Sequence, residues 1–141
     1  MRIFLDIGAH IGETLEEVLK EKYAFDRIIC FEPSKTCLES LEKYSERDSR
    51  VEVLQIGLSN ATCVQKLYNS GELNGSIFSD GESLEKNSES INLVDASAWY
   101  SENISEDDFV VIKTNCEGSE VKIVDSFLKG NTFEHFYSLL I

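Results

Sequence analysis

The sequence is poor in bases. Thirteen lysines and arginines stand against 26 aspartates and glutamates, for a net charge of −13 over 141 residues. Such a surface repels a phosphate backbone. No basic patch offsets it, because Lys20, Lys22 and Arg27 are interleaved with Glu21 and Asp26. A nucleic-acid partner is therefore not expected. No apolar run is long enough to cross a bilayer, so no membrane partner is expected either. No basic segment followed by an apolar one opens the chain, and the expected location is cytoplasmic. The four cysteines (Cys30, Cys37, Cys63 and Cys116) form no C-x-x-C pair, and His10 and His135 are far apart. Zinc-ligand spacing is missing, and no metal site is expected. Cys30 and Cys116 fall inside apolar strand patterns and read as small core residues. No internal repeat divides the chain, and its length suits one domain over 1–141.

What is present is the composition of a soluble globular protein, 42% hydrophobic and 28% charged. The element order reads strand, helix, strand, helix, strand. "RIFLD" is an apolar run of strand length, and "ETLEEVLKEKY" follows with Leu15, Val18 and Leu19 at helical spacing. "RIICFE" is a second strand. "SKTCLESLEKY" is a second helix, with Ser34 placed to cap it and Cys37, Leu38, Leu41 and Tyr44 on one face. "VEVLQIGLS" is a third strand. After a polar excursion over 69–90, flanked by "QKLYN" and "SINLVD" as a possible antiparallel pair, "ASAWYSEN" makes one or two helical turns. "DFVVIKTN" is a fourth core strand. "GSEVKIVDSFLKGN" is a helix with Val121, Val124 and Leu128 on one face and Gly130 as its stop, and "FYSLLI" starts a last strand. Continuous apolar strands alternating with amphipathic helices define an α/β fold with a doubly wound, mostly parallel sheet. An open sheet of this kind normally continues beyond "FYSLLI", so further C-terminal strands are expected to be lacking here. Uncovered, that edge would invite a second copy and a homodimer.

Three segments carry chemistry. In "DIGAHIG", Gly8 and Gly12 sit at a strand-to-helix turn, where positive φ and close approach of a ligand are possible. A following helix would aim its N–H groups at the same place. A P-loop is excluded, since no Gly-Lys-[Ser/Thr] follows. The dinucleotide fingerprint G-x-G-x-x-G is also incomplete, because His10 stands where the second glycine lets a pyrophosphate lie on the backbone. A smaller group fits better. In "IICFEP", Glu32 ends the second strand twenty residues after Gly12, where an acid accepts hydrogen bonds from both hydroxyls of an adenosine ribose. In "KTNCEGSE", Lys113, Asn115, Glu117 and Glu120 offer a cation, an amide and two carboxylates at the same edge of the sheet. Glu120 reads equally well as a helix cap.

Together these segments resemble the FkbM family of S-adenosylmethionine-dependent methyltransferases. "FLDIGAHIG" is similar to its first motif, commonly written with asparagine in place of His10. "FEP" matches its acid-proline turn, and "KTNCEGSE" its "K-I-D-V-E-G-A-E". "QIGLSN" and "NGSIF" resemble two further family segments, so the likeness covers nearly the whole chain. Asn115 departs from the family's aspartate, and an amide cannot serve as a general base. The resemblance implies a class I methyltransferase, Rossmann-like fold with S-adenosylmethionine as cofactor. It implies that Asp6, Gly8, Ala9, His10 and Gly12 take the methionine end, that Glu32 and Pro33 form the ribose turn, and that Gly57 and Leu58 flank the adenine. Glu117 would orient or deprotonate the acceptor, with Asn115 and Lys113 beside it. The acceptor would be the hydroxyl of a small molecule, sugar or glycan, chosen by the 69–90 excursion together with the C-terminal elements expected to be lacking. Two other readings stand beside this one: a binding module on a degenerate methyltransferase fold, and an NAD-binding oxidoreductase domain.

Overall fold

The structure is a computed structural model that describes residues 1–68, 88–116 and 118–140. Its main sheet has five strands: β1 (Arg2–Ile7), β2 (Arg27–Phe31), β3 (Val51–Leu54), β7 (Phe109–Thr114) and β8 (Ser138–Leu140). They lie in the order β3-β2-β1-β7-β8, and every pairing is parallel. The doubly wound parallel sheet expected from the alternating pattern is therefore present. Winding runs outward from β1 to β3 and then jumps back to place β7 on the other side of β1. That reversal opens a crevice between the C-terminal ends of β1 and β7, the place where open α/β sheets bind ligands.

A second sheet of three strands stands beside the first, in the order β4 (Gly57–Ser59), β6 (Ser88–Asp95), β5 (Cys63–Tyr68). β5 and β6 pair antiparallel, with Cys63 opposite Leu93 and Tyr68 opposite Ser88, as the residues flanking the excursion suggested. "VEVLQIGLS" is not one strand. It breaks after Leu54, and its second half leaves β3 to pair in parallel with β6. Residues 88–90 belong to β6 rather than to the polar excursion, whose residues 69–87 lie outside the described residues.

Both faces of the main sheet are covered, as continuous apolar strands require. Ile3, Leu5 and Ile7 of β1 join Ile29, Phe31, Val110 and Ile112 on one face, under α3 (Ala96–Asn103) and α4 (Glu120–Lys129). Phe4, Ile28, Cys30 and Val51 pack on the other face with Leu15, Val18 and Leu41, from α1 (Leu15–Val18) and α2 (Lys35–Arg47). At about 1.5–3 kcal/mol for each large side chain fully buried, these two layers hold the sheet flat against its helices.

Two helices differ from the reading of the sequence. The first helix is only the four residues of α1, followed by a 3-10 turn at Glu21–Tyr23. Competing hydrogen bonds end it: Arg50 Nη2 donates to the Leu19 carbonyl, and Lys20, Lys22 and Tyr23 converge on the Glu17 carboxylate. So short a helix aims no useful dipole at the glycine loop. In α4 the buried face carries Ile123, Ser126 and Phe127, whereas Val121 and Leu128 are exposed. The sequence offered two apolar stripes. Phe127 decides between them, because it packs among Tyr100, Phe133 and Phe136. α3 is capped by Asp95, whose side chain accepts the Ala98 N–H.

Candidate functional site

Each strand of the crevice delivers one part of the site. β1 runs out at Ile7 into Gly8, whose φ of +79° is open to glycine without strain. The close approach this glycine permits is first of all to the protein itself. A β-carbon at Gly8 would lie 2.2 Å from the Asn115 carbonyl oxygen. The turn after β1 and the turn after β7 are thus packed backbone to backbone, and Asn115 N–H donates to the Ile7 carbonyl at 2.9 Å. Gly12 (φ +92°) is held in the same way, by the Tyr44 ring and the side chains of Leu15 and Leu41. His10 sits between them at φ +51°, in the left-handed region that a residue with a β-carbon enters only at a cost.

The contact that holds His10 there comes from the end of β2. Glu32 Oε2 accepts the His10 N–H at 2.8 Å, and Oε1 accepts the Ser34 N–H at 2.8 Å. Burial pushes the Glu32 carboxyl above its ordinary range, and the two amides draw it partly back. The His10 ring in turn meets Glu13, Nδ1 to Oε1 at 2.9 Å. Ser34 stands at the N-cap position of α2, but its hydroxyl pairs with Thr36 Oγ1.

An open cleft runs along these turns. It is lined by Gly8, Glu32, Pro33, Gly57, Leu58 and Asn115, all singled out from the sequence. Its far wall comes from the second sheet, through Leu67, Ile91 and Leu93. Sequence reasoning missed this wall. Alternation along β5 and β6 marks those residues as inward, but only the pairing of the two strands shows that they face the end of β2. Gly57 is the seam, since a β-carbon there would lie 2.6 Å from Leu93 Cδ2 and 3.4 Å from Pro33 Cγ. Cys116 also lines the cleft rather than the core of a strand, because β7 ends at Thr114. Its thiol donates to the Ile7 carbonyl at 3.4 Å, and burial pushes it up to about 12.

Asp6, Ala9, His10, Gly12 and Lys113 do not line this cleft. Asp6 is fully buried in β1 and Ala9 nearly so, and Lys113 reaches across from β7 to Asp6, Nζ to Oδ1 at 2.7 Å. Burial raises the Asp6 carboxyl, and the Lys113 ammonium opposes that rise. Among the described residues, Asp6 Oδ2 is the buried side-chain polar atom left without a hydrogen-bond partner. Glu117 lies outside the described residues. Glu120 is a cap: its two oxygens accept the N–H groups of Cys116 at 2.7 Å and Gly118 at 2.8 Å.

A parallel sheet wound in this order, with a glycine loop after β1 and an acid after β2 meeting in one cleft, has the Rossmann-like architecture of class I methyltransferases. In particular, the fold is FkbM-like. It is similar to the crystal structure of methyltransferase FkbM from Methylobacillus flagellatus KT, with a TM-score of 0.60 and 19% identity. The match covers 99% of this chain and 33% of that one, so the chain spans about a third of that structure's length. No family model matches the chain, and a search of curated proteins also finds no match.

Proposed function

We propose that the protein is a methyltransferase that binds S-adenosylmethionine in the cleft and methylates a hydroxyl of a small molecule or glycan. The observation that carries this reading is the convergence of Gly8, Glu32, Pro33, Gly57, Leu58 and Asn115 on one cleft at the C-terminal ends of parallel strands. The residues suit the cofactor. Glu32 keeps lone pairs on both oxygens after accepting two amides, and those suit ribose hydroxyls. Pro33, Gly57, Leu58, Leu67, Ile91 and Leu93 make the neighbouring wall apolar, as an adenine face requires. At the base of the glycine loop, Asp6 Oδ2 is an acceptor without a partner, while Oδ1 is taken by Lys113.

When bound, S-adenosylmethionine supplies a methyl group already activated on a sulfonium. This chain's contribution is then position and electrostatics. Glu32 and the backbone of His10 fix the loop, the second sheet excludes water from one side, and Asn115 offers an amide to orient an acceptor. Glu117 is the proposed group for the acceptor's proton.

A second reading has an observation behind it. Asn115 brings an amide, not an acid, to the cleft, and each Glu32 oxygen already accepts a backbone N–H. Both facts suit a module that binds the cofactor without turning it over. Titrating S-adenosylmethionine into the protein by calorimetry, with NAD as competitor, tests the cofactor. Absence of heat from the intact chain would rule it out, and displacement by NAD would favour an oxidoreductase domain. Binding without any methylated product in extracts would favour the binding module.

A further inference from the structure

Lys113 and Asp6 are register partners on adjacent parallel strands, and both point to the α1/α2 face of the sheet. Asp6 has no exposed surface, and Lys113 is about one-fifth exposed. The ammonium donates to Asp6 Oδ1 at 2.7 Å and lies 3.5 Å from the Gly8 carbonyl oxygen. One side chain on β7 thus reaches both the last acid of β1 and the glycine that follows it. The other neighbours of Asp6 give it no help. Cys30 is its register partner on β2, a thiol that Asp6's own charge helps to push up to about 12. Glu13, past the glycine loop, is a further acid whose charge opposes ionisation, and its own partner is His10.

We propose that Lys113 is a positioning residue of the cofactor loop: it holds Asp6 as a buried anion and ties Gly8 to β7. This rests on the cofactor reading above for its purpose, and on the ion pair alone for its physics. A lysine so committed is not the acid or base for an acceptor, so it leaves the catalytic set in which the sequence placed it. Removing its charge leaves an acid with no exposed surface beside a thiol and a second acid, and such an acid takes up a proton. The loop then loses its ionic tie from Asp6 and Gly8 to β7.

The test has two readouts. In protein labelled with carbon-13 at aspartate side-chain carboxyls, with the Asp6 resonance assigned by Asp6→Asn, the Asp6 midpoint should rise by about 1–3 pH units in Lys113→Met. Lys113→Arg should restore it. By calorimetry, S-adenosylmethionine affinity should fall about tenfold or more in Lys113→Met and return in Lys113→Arg. An unmoved Asp6 midpoint, or an unchanged affinity in Lys113→Met, overturns the proposal. If the parent binds no S-adenosylmethionine, the cofactor reading falls, while the carboxyl titration still decides the role of Lys113. Should Lys113→Met not fold, Lys113→Gln, which keeps a donor toward Gly8, takes the same two measurements.

Discussion

Glu32 Oε2 and the backbone N–H of His10, 22 residues apart in sequence, meet at 2.8 Å and lock the end of β2 to the loop after β1. The second oxygen does the same for Ser34 at the start of α2. An acid expected only to hold a ligand is also the latch of the protein's own loop. Glu32→Ala should therefore leave two N–H groups without their acceptor and lower stability by about 2–4 kcal/mol, at about 1–3 kcal/mol for each group that stays buried. Urea denaturation measures it. A loss below about 1 kcal/mol would mean that water takes over both amides.

The packing of Gly8 on Asn115 predicts a cost with two sources. Gly8→Ala places a β-carbon 2.2 Å from the Asn115 carbonyl oxygen, at a φ of +79°. The left-handed backbone alone costs about 1–2 kcal/mol for a residue with a β-carbon, and the clash forces the two turns apart. We expect a loss of about 2–4 kcal/mol by denaturation, and affinity for the proposed S-adenosylmethionine lost in the same variant. His10→Gly provides the contrast. It relieves φ +51° and should be neutral or stabilising by up to about 1 kcal/mol.

How much of this was legible in the sequence depends on range. The apolar runs of β1, β2 and β7 announced the sheet, and Gly8, Glu32 and Asn115 announced the edge that carries the cleft, because each sits next to its own strand. The wall of Leu67, Ile91 and Leu93 was not legible, since it exists only when β5 and β6 pair and lean on Gly57. The α4 face was misread because Val121, Val124 and Leu128 have the same spacing as a buried stripe, and only the aromatic cluster around Phe127 breaks the tie. The first helix was overextended because nothing local reveals that Arg50, 31 residues away, takes the Leu19 carbonyl.

Glu120 can be separated from acceptor chemistry by stability. Its two oxygens accept the Cys116 and Gly118 N–H groups, so Glu120→Ala should cost about 1–3 kcal/mol. If denaturation shows no loss while the proposed methyl transfer collapses, Glu120 belongs to that reaction rather than to the turn.

Thiol chemistry reports on the cleft. Burial pushes Cys30 and Cys116 up to about 12, and it raises Cys37 as well. Cys63 is half-exposed on β5. Ellman's reagent at mildly alkaline pH should find one fast thiol in the folded protein and all four after denaturation. A second fast thiol that Cys116→Ser removes would show that the cleft opens at that wall.

The Asp6–Lys113 pair predicts a pH-dependent gain on its removal. The Asp6 carboxyl is raised in the folded protein, chiefly by burial. Its contribution to stability is therefore complete below its unfolded value and is lost as pH rises through the raised one. The double variant Asp6→Asn with Lys113→Met should be as stable as the parent or up to about 4 kcal/mol more stable, with an advantage that grows as pH rises through that window. Urea midpoints across the range measure this, and an advantage that shrinks with rising pH would refute it.

The pairing of Tyr68 with Ser88 has a consequence for how such a protein can diversify. It brings the end of β5 and the start of β6 side by side, next to the Leu67 and Ile91 wall of the cleft. Closing a loop there costs only about 0.6 kcal/mol more for each doubling of its length. Whatever is spliced between those two strands can be lengthened, shortened or exchanged while β1, β2 and β7 keep their register. The fold thus carries a graft point at the rim of its own cleft, where the lining can be varied without rebuilding the sheet.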